Sequence, residues 1–219
     1  QLVAALREAV TAATVFCATH GVDLAAMEAL PLGGLARLTA VENAINDLIA
    51  PDALRREFFG HEKLVGTLYR AVKPDPAAIE FSTRVLGIYT LAGAIRAKLS
   101  PDPPDIETIL AQITGLLDDS ITGLSISGGG PPAIDLSKIN FEALAQRFKE
   151  SKHKNTDLEA LKAAIRARLE KLLRLNRTRA NFSEKFESLI ESYNNGSRNI
   201  EQLFEELLKL SNSLDEEQE

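Results

Sequence analysis

Apolar residues recur at intervals of three and four along most of this chain, as they do on the buried face of an α-helix. The first stripe predicts a helix that ends at Gly21, and a short helical turn is expected over residues 24–30 before the Pro-Leu-Gly-Gly interruption at 31–34. The members of that first stripe are Leu2, Leu6, Val10, Ala13 and Phe16.

Prolines divide the next helices. A stripe at Leu38, Val41, Ile45, Leu48 and Ile49 ends at Pro51, because proline lacks the N–H that a helix interior needs. The following helix, over 53–72, is predicted from Leu54, Phe58, Val65, Leu68, Tyr69 and Val72. Asp75-Pro76 then forms a start signal. The helix that it opens is predicted from Ile79, Leu86, Leu91, Ile95 and Leu99.

A stretch rich in glycine and proline separates the two halves of the chain. Before it, Asp105 is expected to cap a helix over 105–117, and the stretch itself reads GLSISGGGPPA at 123–133. Four glycines and two prolines favour a flexible linker. We therefore predict a helical subdomain at 1–122, a linker at 123–133 and a C-terminal helical subdomain at 134–219.

The second half carries three helix start signals of the capping-box type. They are Thr156 with Glu159, Asn181 with Glu184, and Asn199 with Gln202, and each precedes an apolar stripe. A shorter helix is expected after Asn140. Because strand patterns are nearly absent, the predicted fold class is all-α, with two helical subdomains built as bundles.

Composition indicates the cellular compartment of the protein and the partners that it excludes. The chain has 219 residues and a net charge of -6, so its overall field does not attract nucleic acid. Cys17 is the only cysteine, which excludes a disulfide framework and suits a reducing cytoplasm. No apolar run approaches the roughly 20 residues of a membrane span. We expect a cytoplasmic protein without a membrane partner.

The search for catalytic motifs is negative. The sequence has no GxxxxGK[ST], HExxH, CxxC or GxSxG motif. Asp135 with Glu150 and Lys152 imitates the D…ExK spacing of metal-dependent nucleases, but Glu150 ends a helical pattern, so we interpret this spacing as chance. His20, His61 and His153 lack ligand spacing; His20 precedes Gly21 and is expected to serve a helix C-terminus.

Charge is distributed unevenly over the second half. Residues 147–179 contain eleven basic and four acidic residues, whereas 180–219 contain three basic and ten acidic ones. The two blocks either pair within one bundle or leave a basic surface for DNA or an acidic partner. The sequence leaves both interpretations open.

Several short motifs resemble one known family. In the second half they are Ile134-Asp135-Leu136 with Phe141, Lys152-His153-Lys154-Asn155, Asn176-x-Thr178-Arg179, Phe182 to Phe186, and Tyr193-Asn194-x-Gly196. In the first half they are Phe16-Cys17-x-x-His20-Gly21-Val22-Asp23-Leu24 and Leu68-Tyr69 before Pro74-Asp75-Pro76. The chain resembles the C-terminal helical region of the R (restriction and motor) subunit of type I restriction enzymes. Arg177 departs from the family, which often has proline there.

The resemblance implies a role without a catalytic site. The complete subunit would carry a nuclease domain and two ATP-dependent motor domains, so ATP and Mg are expected on those domains and no cofactor on this region. The implied partners are the modification and specificity subunits of the methyltransferase, onto which this region would dock. Lys152, Lys154, Arg177 and Arg179 are the candidate partner contacts.

Two rival hypotheses remain at this stage. In the first, the same basic residues contact the backbone of duplex DNA during translocation. In the second, the chain is a free-standing helical scaffold or an enzyme of another kind.

Overall fold

The computed structural model describes residues 1–31, 34–73, 75–99, 141–175 and 180–216. Of these residues, 87% are helical and none is in a strand, which confirms the all-α prediction. The chain divides into two compact units, Gln1–Lys98 and Leu99–Glu219, each of which is described by itself below.

Unit 1, Gln1–Lys98, contains five α-helices and one 3-10 helix in its described part. They are α1 (Leu2–Thr19), α2 (Leu24–Ala29), α3 (Leu35–Ile49), α4 (Asp52–Val72), the 3-10 helix Pro76–Phe81, and α5 (Ser82–Lys98). The Asp75 carboxylate accepts a hydrogen bond from the N–H of Ala77 at 2.9 Å, as the Asp-Pro start signal predicts. The segment winds as a 3-10 helix before it continues as α5.

Helix α4 forms the centre of unit 1, because α1, α3 and α5 all pack against it. Phe58 of α4 is fully buried, as are Leu48 and Ile49 of α3 and Ile88 and Ile95 of α5. Three arginines join the elements at their surface. Arg7 pairs with Glu80 at 2.8 Å, Arg84 bonds both Glu28 and the Thr14 hydroxyl, and Arg96 pairs with Glu62 at 2.7 Å.

Four residues that the apolar stripes assign to the core are instead exposed. Leu2, Leu38, Ile79 and Leu86 each leave more than half of their surface in solvent. In α5 the buried face is formed by Val85, Ile88, Leu91, Ala92 and Ile95. Leu86 follows Val85 by one residue, about 100° around the helix, and so points away from that face.

Helix α1 is long and apolar enough, by length and composition, to cross a membrane. Within unit 1, however, it packs along α4, and Leu6, Ala13 and Cys17 are fully buried there. Its Arg7 is engaged with Glu80. The apolar composition of α1 therefore matches its position in the core of unit 1.

Unit 2, Leu99–Glu219, contains four α-helices in its described part: α6 (Phe141–Glu150), α7 (Lys154–Leu175), α8 (Ala180–Asn194) and α9 (Ile200–Glu216). Helix α9 packs against the other three. The rings of Phe148 and Phe204 stack with centroids 3.8 Å apart, and Leu161, Ile165 and Leu207 are fully buried around the same core.

One of the three predicted capping boxes forms. The Asn199 side chain accepts from the N–H of Gln202 at 2.8 Å, and the Gln202 side chain accepts from the N–H of Asn199 at 3.0 Å. Gly196, with φ of 78°, supplies the left-handed turn just before it. These bonds define the start of α9.

The other two predicted boxes are wrong. Helix α7 begins at Lys154, so Thr156 lies inside its first turn and not at the cap position, and the Glu159 carboxylate accepts from Lys162. Helix α8 begins at Ala180, and the Asn181 side chain accepts from the N–H of Phe182. Each helix starts upstream of the residue that the box pattern indicates.

The predicted helix over 105–117, the predicted linker at 123–133 and Asp135 lie outside the described residues. The subdomain boundaries at 122 and 134 accordingly stay predictions.

Candidate functional site

Lys152 lies in the short turn between α6 and α7. The hydroxyl of Ser151 donates to the Asp157 carboxylate at 2.6 Å and accepts from the N–H of His153 at 3.1 Å. These two bonds hold the turn against the first turn of α7. The Lys152 side chain is exposed on this fixed turn, where it can contact a partner.

Lys154, the first residue of α7, is paired within unit 2. Its ammonium donates to Glu201 of α9 at 3.0 Å, and Lys149 of α6 lies 3.8 Å from Glu205 of the same helix. The hydrogen bond from Lys154 lowers the pKa of the Glu201 carboxyl. The nearby positive charge of Lys149 lowers this pKa further. Lys154 therefore joins α7 to α9, which leaves less of its charge for a partner.

Arg166 makes two contacts with α8. Its guanidinium lies 3.5 Å from the Glu187 carboxylate and 5.4 Å from the centroid of the Phe186 ring. Both charged side chains are at least half exposed, so the ion pair is weak and screened by salt.

Lys162 is buried with Glu159 on α7. Their charged groups are 2.6 Å apart, and each side chain exposes only 4% of its surface. A buried charge of either sign is tolerated when it is paired and hydrogen-bonded. Lys162 is thus a core residue, although it belongs to the basic block.

Four residues of the basic stretch 147–179 therefore form ion pairs within unit 2: Lys149, Lys154, Lys162 and Arg166. Lys152, Lys171 and Arg174 have exposed side chains. Arg177 and Arg179, which the sequence nominates together with Lys152 and Lys154, lie outside the described residues. Of the four nominated contacts, the structure describes two, and one of these is engaged within the bundle.

The histidines and carboxylates of the described residues form no group of three or more that could hold a metal ion. His20 ends α1, and its Nδ1 lies 2.8 Å from the carbonyl oxygen of Phe16, as expected for a residue serving a helix C-terminus. The His61 ring packs on Phe16, with centroids 4.9 Å apart. The Glu150 carboxylate accepts from the Gln146 amide, one turn earlier in α6.

Exposed apolar side chains are found in unit 1. Among the side chains whose exposure the structure describes, all the large hydrophobic ones that are more than half exposed belong to this unit: Leu2, Val15, Leu35, Leu38, Leu64, Ile79 and Leu86. Leu35 is 79% exposed and Leu38 59%, and their spacing of three residues places them on one face of α3. Two large apolar side chains exposed on the same helix face make that face a candidate interaction surface.

Sequence reasoning missed these exposed residues because it assigned Leu2, Leu38, Ile79 and Leu86 to the buried stripes and gave Val15, Leu35 and Leu64 no role. A signal was available in α5. Where a surface helix normally carries charge, α5 has Thr83, Leu86, Thr90, Gly93 and Ala97. The lack of a charged stripe indicates a helix with apolar contacts on more than one side.

Comparison with known proteins gives one match. The family described as "Type I restriction enzyme HindI endonuclease subunit-like, C-terminal" matches residues 1–219, the whole chain. No curated protein and no solved structure matches this chain. The chain belongs to this family, and it is the C-terminal region of a type I restriction enzyme endonuclease subunit.

Proposed function

We propose that this region docks the endonuclease subunit onto the methyltransferase core, which consists of the modification and specificity subunits, and that it carries no catalysis itself. The observation that carries the proposal is the pair of exposed leucines, Leu35 and Leu38, on one face of α3, in a chain that belongs to an endonuclease subunit family. Burial of apolar surface is the dominant favourable term in most protein–protein association.

Helix α3 carries the apolar anchor of the proposed contact. Leu35 exposes 79% of its surface to solvent and Leu38 59%. Transfer of such a side chain from water into a partner's apolar pocket contributes about 1.5–3 kcal/mol. We infer that α3 contributes to the contact with the methyltransferase.

The basic residues have a supporting role. Lys152 is exposed on a turn fixed by Ser151, and we infer that it acts with Arg177 and Arg179 on an acidic rim of the partner. Lys154 contributes less, because Glu201 already engages it. Charges at the rim of an interface mainly affect the association rate and its dependence on salt.

The chemistry of the complete subunit is assigned, in this proposal, to other domains of the polypeptide, which bind ATP and Mg. No cofactor and no membrane is needed by the docking region, and its place of action is the cytoplasm. Within the described part of the chain, three close ion pairs join different helices: Arg84 with Glu28, Arg96 with Glu62, and Lys154 with Glu201.

Co-elution tests the proposal directly. The 219-residue chain is mixed at micromolar concentration with the purified methyltransferase core and passed over a size-exclusion column. A joint peak is expected, and the double variant Leu35→Glu/Leu38→Glu is expected to abolish it. The matched control is Leu64→Glu, a half-exposed leucine on α4. Separate elution of the unmodified chain would refute docking.

Contact with duplex DNA is the second candidate function. It is favoured by the exposed Lys152, Lys171 and Arg174, of which the last two lie on the part of α7 that leads toward Arg177 and Arg179. Phosphate contacts make binding fall steeply with salt. Duplex binding at low salt should weaken when Lys152, Lys154, Arg177 and Arg179 are replaced by alanine, with Lys154→Ala having the smallest effect. Salt-independent binding, or none at low salt, removes this candidate.

A further inference from the structure

The half of α3 that carries Leu35 and Leu38 has no buried side chain. The buried residues of this helix all lie in its other half: Ala44, Ile45, Leu48 and Ile49. The best-covered side chains near the leucines, such as those of Arg37 and Val41, are half-buried, and Gly34 begins the helix without a side-chain cap. A segment with so few buried apolar contacts opens easily unless polar bonds hold it.

Arg37 ties this half of α3 to the end of α2. Its Nη1 donates to the carbonyl oxygen of Leu30 at 3.0 Å. Leu30 is the residue that ends α2, and its N–H donates to the carbonyl of Met27 at 3.3 Å. The last carbonyls of a helix have no partner within it, so a guanidinium is a favourable donor there. Arg37 lies between the two leucines in sequence, so its bond is made from the turn that carries both.

Helix α2 is in turn tied to α5 and α1 by an ion pair. Of its six residues only Leu24, at the start, is buried. Toward its other end, the Glu28 carboxylate accepts two hydrogen bonds from Arg84 of α5, and the two side chains expose only 18% and 21% of their surface. Arg84 also donates to the Thr14 hydroxyl of α1 at 3.0 Å. A bidentate pair of this kind fixes both position and direction.

We propose that Arg84, Glu28 and Arg37 form a strap that positions the leucine pair of α3 for docking, an inference that rests on the proposed function. The strap runs from α5 through α2 to the first turn of α3. Arg37 and Arg84 are positioning residues, because they hold the two leucines in the binding-competent arrangement before the partner arrives. If only a fraction of the free chains holds that arrangement, the apparent affinity falls by the same fraction.

A positioning role affects association more than dissociation. Loss of the strap lowers the competent fraction of the free chain, so it lowers kon. In the complex the partner itself holds the two leucines, so koff changes little. Truncation of a side chain that contacts the partner has the opposite signature, because it mainly raises koff.

Binding kinetics on the immobilised methyltransferase core test this signature with the 219-residue chain. Arg37→Ala and Glu28→Gln should each lower kon by about three- to tenfold and change koff by less than about twofold. Leu38→Ala should instead raise koff by at least about fivefold. The matched control is Arg7→Ala, because Arg7 of α1 also forms an ion pair, with Glu80, but lies outside the strap. Both of its rate constants should stay unchanged.

Two further variants separate the strap from a general loss of folding. Arg37→Lys keeps a cationic donor within reach of the α2 carbonyl and should recover part of kon. Glu28→Gln and Arg84→Gln break the same ion pair, so the double variant should lower kon no more than the stronger single change does. Additive losses would show that the two residues act independently and would overturn the strap.

Amide hydrogen exchange tests the strap without the methyltransferase. The Leu38 N–H donates to the Gly34 carbonyl at 3.2 Å, so its exchange reports on the first turn of α3. Arg37→Ala should raise the exchange rate at Leu38 by at least about tenfold and leave that at the buried Ile45 unchanged. The control Arg7→Ala should change neither rate.

The two measurements distinguish failure of the strap from failure of docking. An unmodified chain that does not bind the methyltransferase core refutes docking, and the positioning role with it. If the unmodified chain binds, an unchanged kon in Arg37→Ala overturns the strap and leaves docking in place. Unchanged exchange at Leu38 in that variant does the same.

Discussion

Gly66 lies beneath the ring of Tyr89 where α4 and α5 cross. A Cβ at this position would lie 2.0 Å from the Tyr89 hydroxyl oxygen and 2.9 Å from the ring carbon that carries it. Gly66→Ala should therefore destabilise unit 1 by about 1–3 kcal/mol in urea unfolding, although alanine favours the helix. The matched change Gly60→Ala, at a position with open space, should raise stability by about 1 kcal/mol.

A double-mutant cycle identifies the cause of that loss. If the Tyr89 ring is responsible, Gly66→Ala should become neutral or stabilising in a Tyr89→Ala background. If Gly66→Ala lowers the free energy of unfolding equally in both backgrounds, the Tyr89 ring is not the reason that position 66 needs glycine.

Cys17 should be inert in the folded protein. Burial raises the pKa of its thiol from 9.0 to about 11, so the thiolate fraction near pH 8 falls by about a hundredfold. A thiol-reactive dye should label no cysteine in native protein and one in urea. Fast labelling of the native chain would contradict the burial of α1 against α4.

The folded-state pKa of Cys17 also has a consequence for stability. Because it is raised above the unfolded value, the contribution of the neutral thiol is fully present below pH 9 and is lost as the pH rises toward 11. Part of the alkaline loss of stability over this range should be absent in Cys17→Ala, measured relative to the stability of that variant at pH 7.

At the scale of elements, the capping box of α9 should contribute measurably to the free energy of unfolding. Asn199→Ala removes the side chain that accepts from the N–H of Gln202, and we expect a loss of about 1 kcal/mol in the free energy of unfolding. Asn194→Ala, at an exposed position that ends α8, is the control and should change stability by less than about 0.5 kcal/mol. Equal effects of the two changes would show that the box is not a stabilising cap.

Helix existence could be predicted from the sequence, whereas helix starts could be predicted only at some helices. The three box patterns are alike as strings, and only that of Asn199 and Gln202 forms. At α7 the bonds of Ser151 to Asp157 and to the N–H of His153 fix an earlier start. Bonds between side chains on either side of a turn depend on geometry that the box pattern does not contain.

The choice of buried face was predictable where a helix has one polar side. In α9, for example, Leu203, Phe204 and Leu207 are buried as their spacing predicts. In α5 the pattern contains apolar residues on both sides, and it could not show that Val85 and Ile88 would be buried while Leu86 remained exposed. Packing against α3 and α4 made that choice.

For the whole molecule, the division into two units has a consequence for folding. Unit 1 has its own core, with Leu6, Phe58 and Ile88 fully buried, so residues 1–98 should fold when produced alone. We expect a helical circular dichroism spectrum and a single cooperative urea transition. A spectrum without helix, or a gradual transition, would show that unit 1 depends on the rest of the chain.

The distribution of charge along the sequence showed a basic and an acidic stretch that could pair, but it did not show which residues would form the pairs. Lys154 and Glu201 are 47 residues apart and meet because α7 packs on α9. The nominated contacts were chosen from sequence position, which cannot distinguish the paired Lys154 from the exposed Lys152. The exposed apolar residues of unit 1 were hidden for the same reason, because exposure depends on the packed structure.

The central claim, that this region is the docking module of the endonuclease subunit, is tested most directly by titrating the 219-residue chain into the methyltransferase core by calorimetry at two salt concentrations. We predict saturable binding that persists at the higher salt. The Leu35→Glu/Leu38→Glu variant should bind at least about tenfold more weakly, while Leu64→Glu binds normally. No detectable heat at tens of micromolar, or binding that the α3 variant leaves unchanged, would contradict the claim.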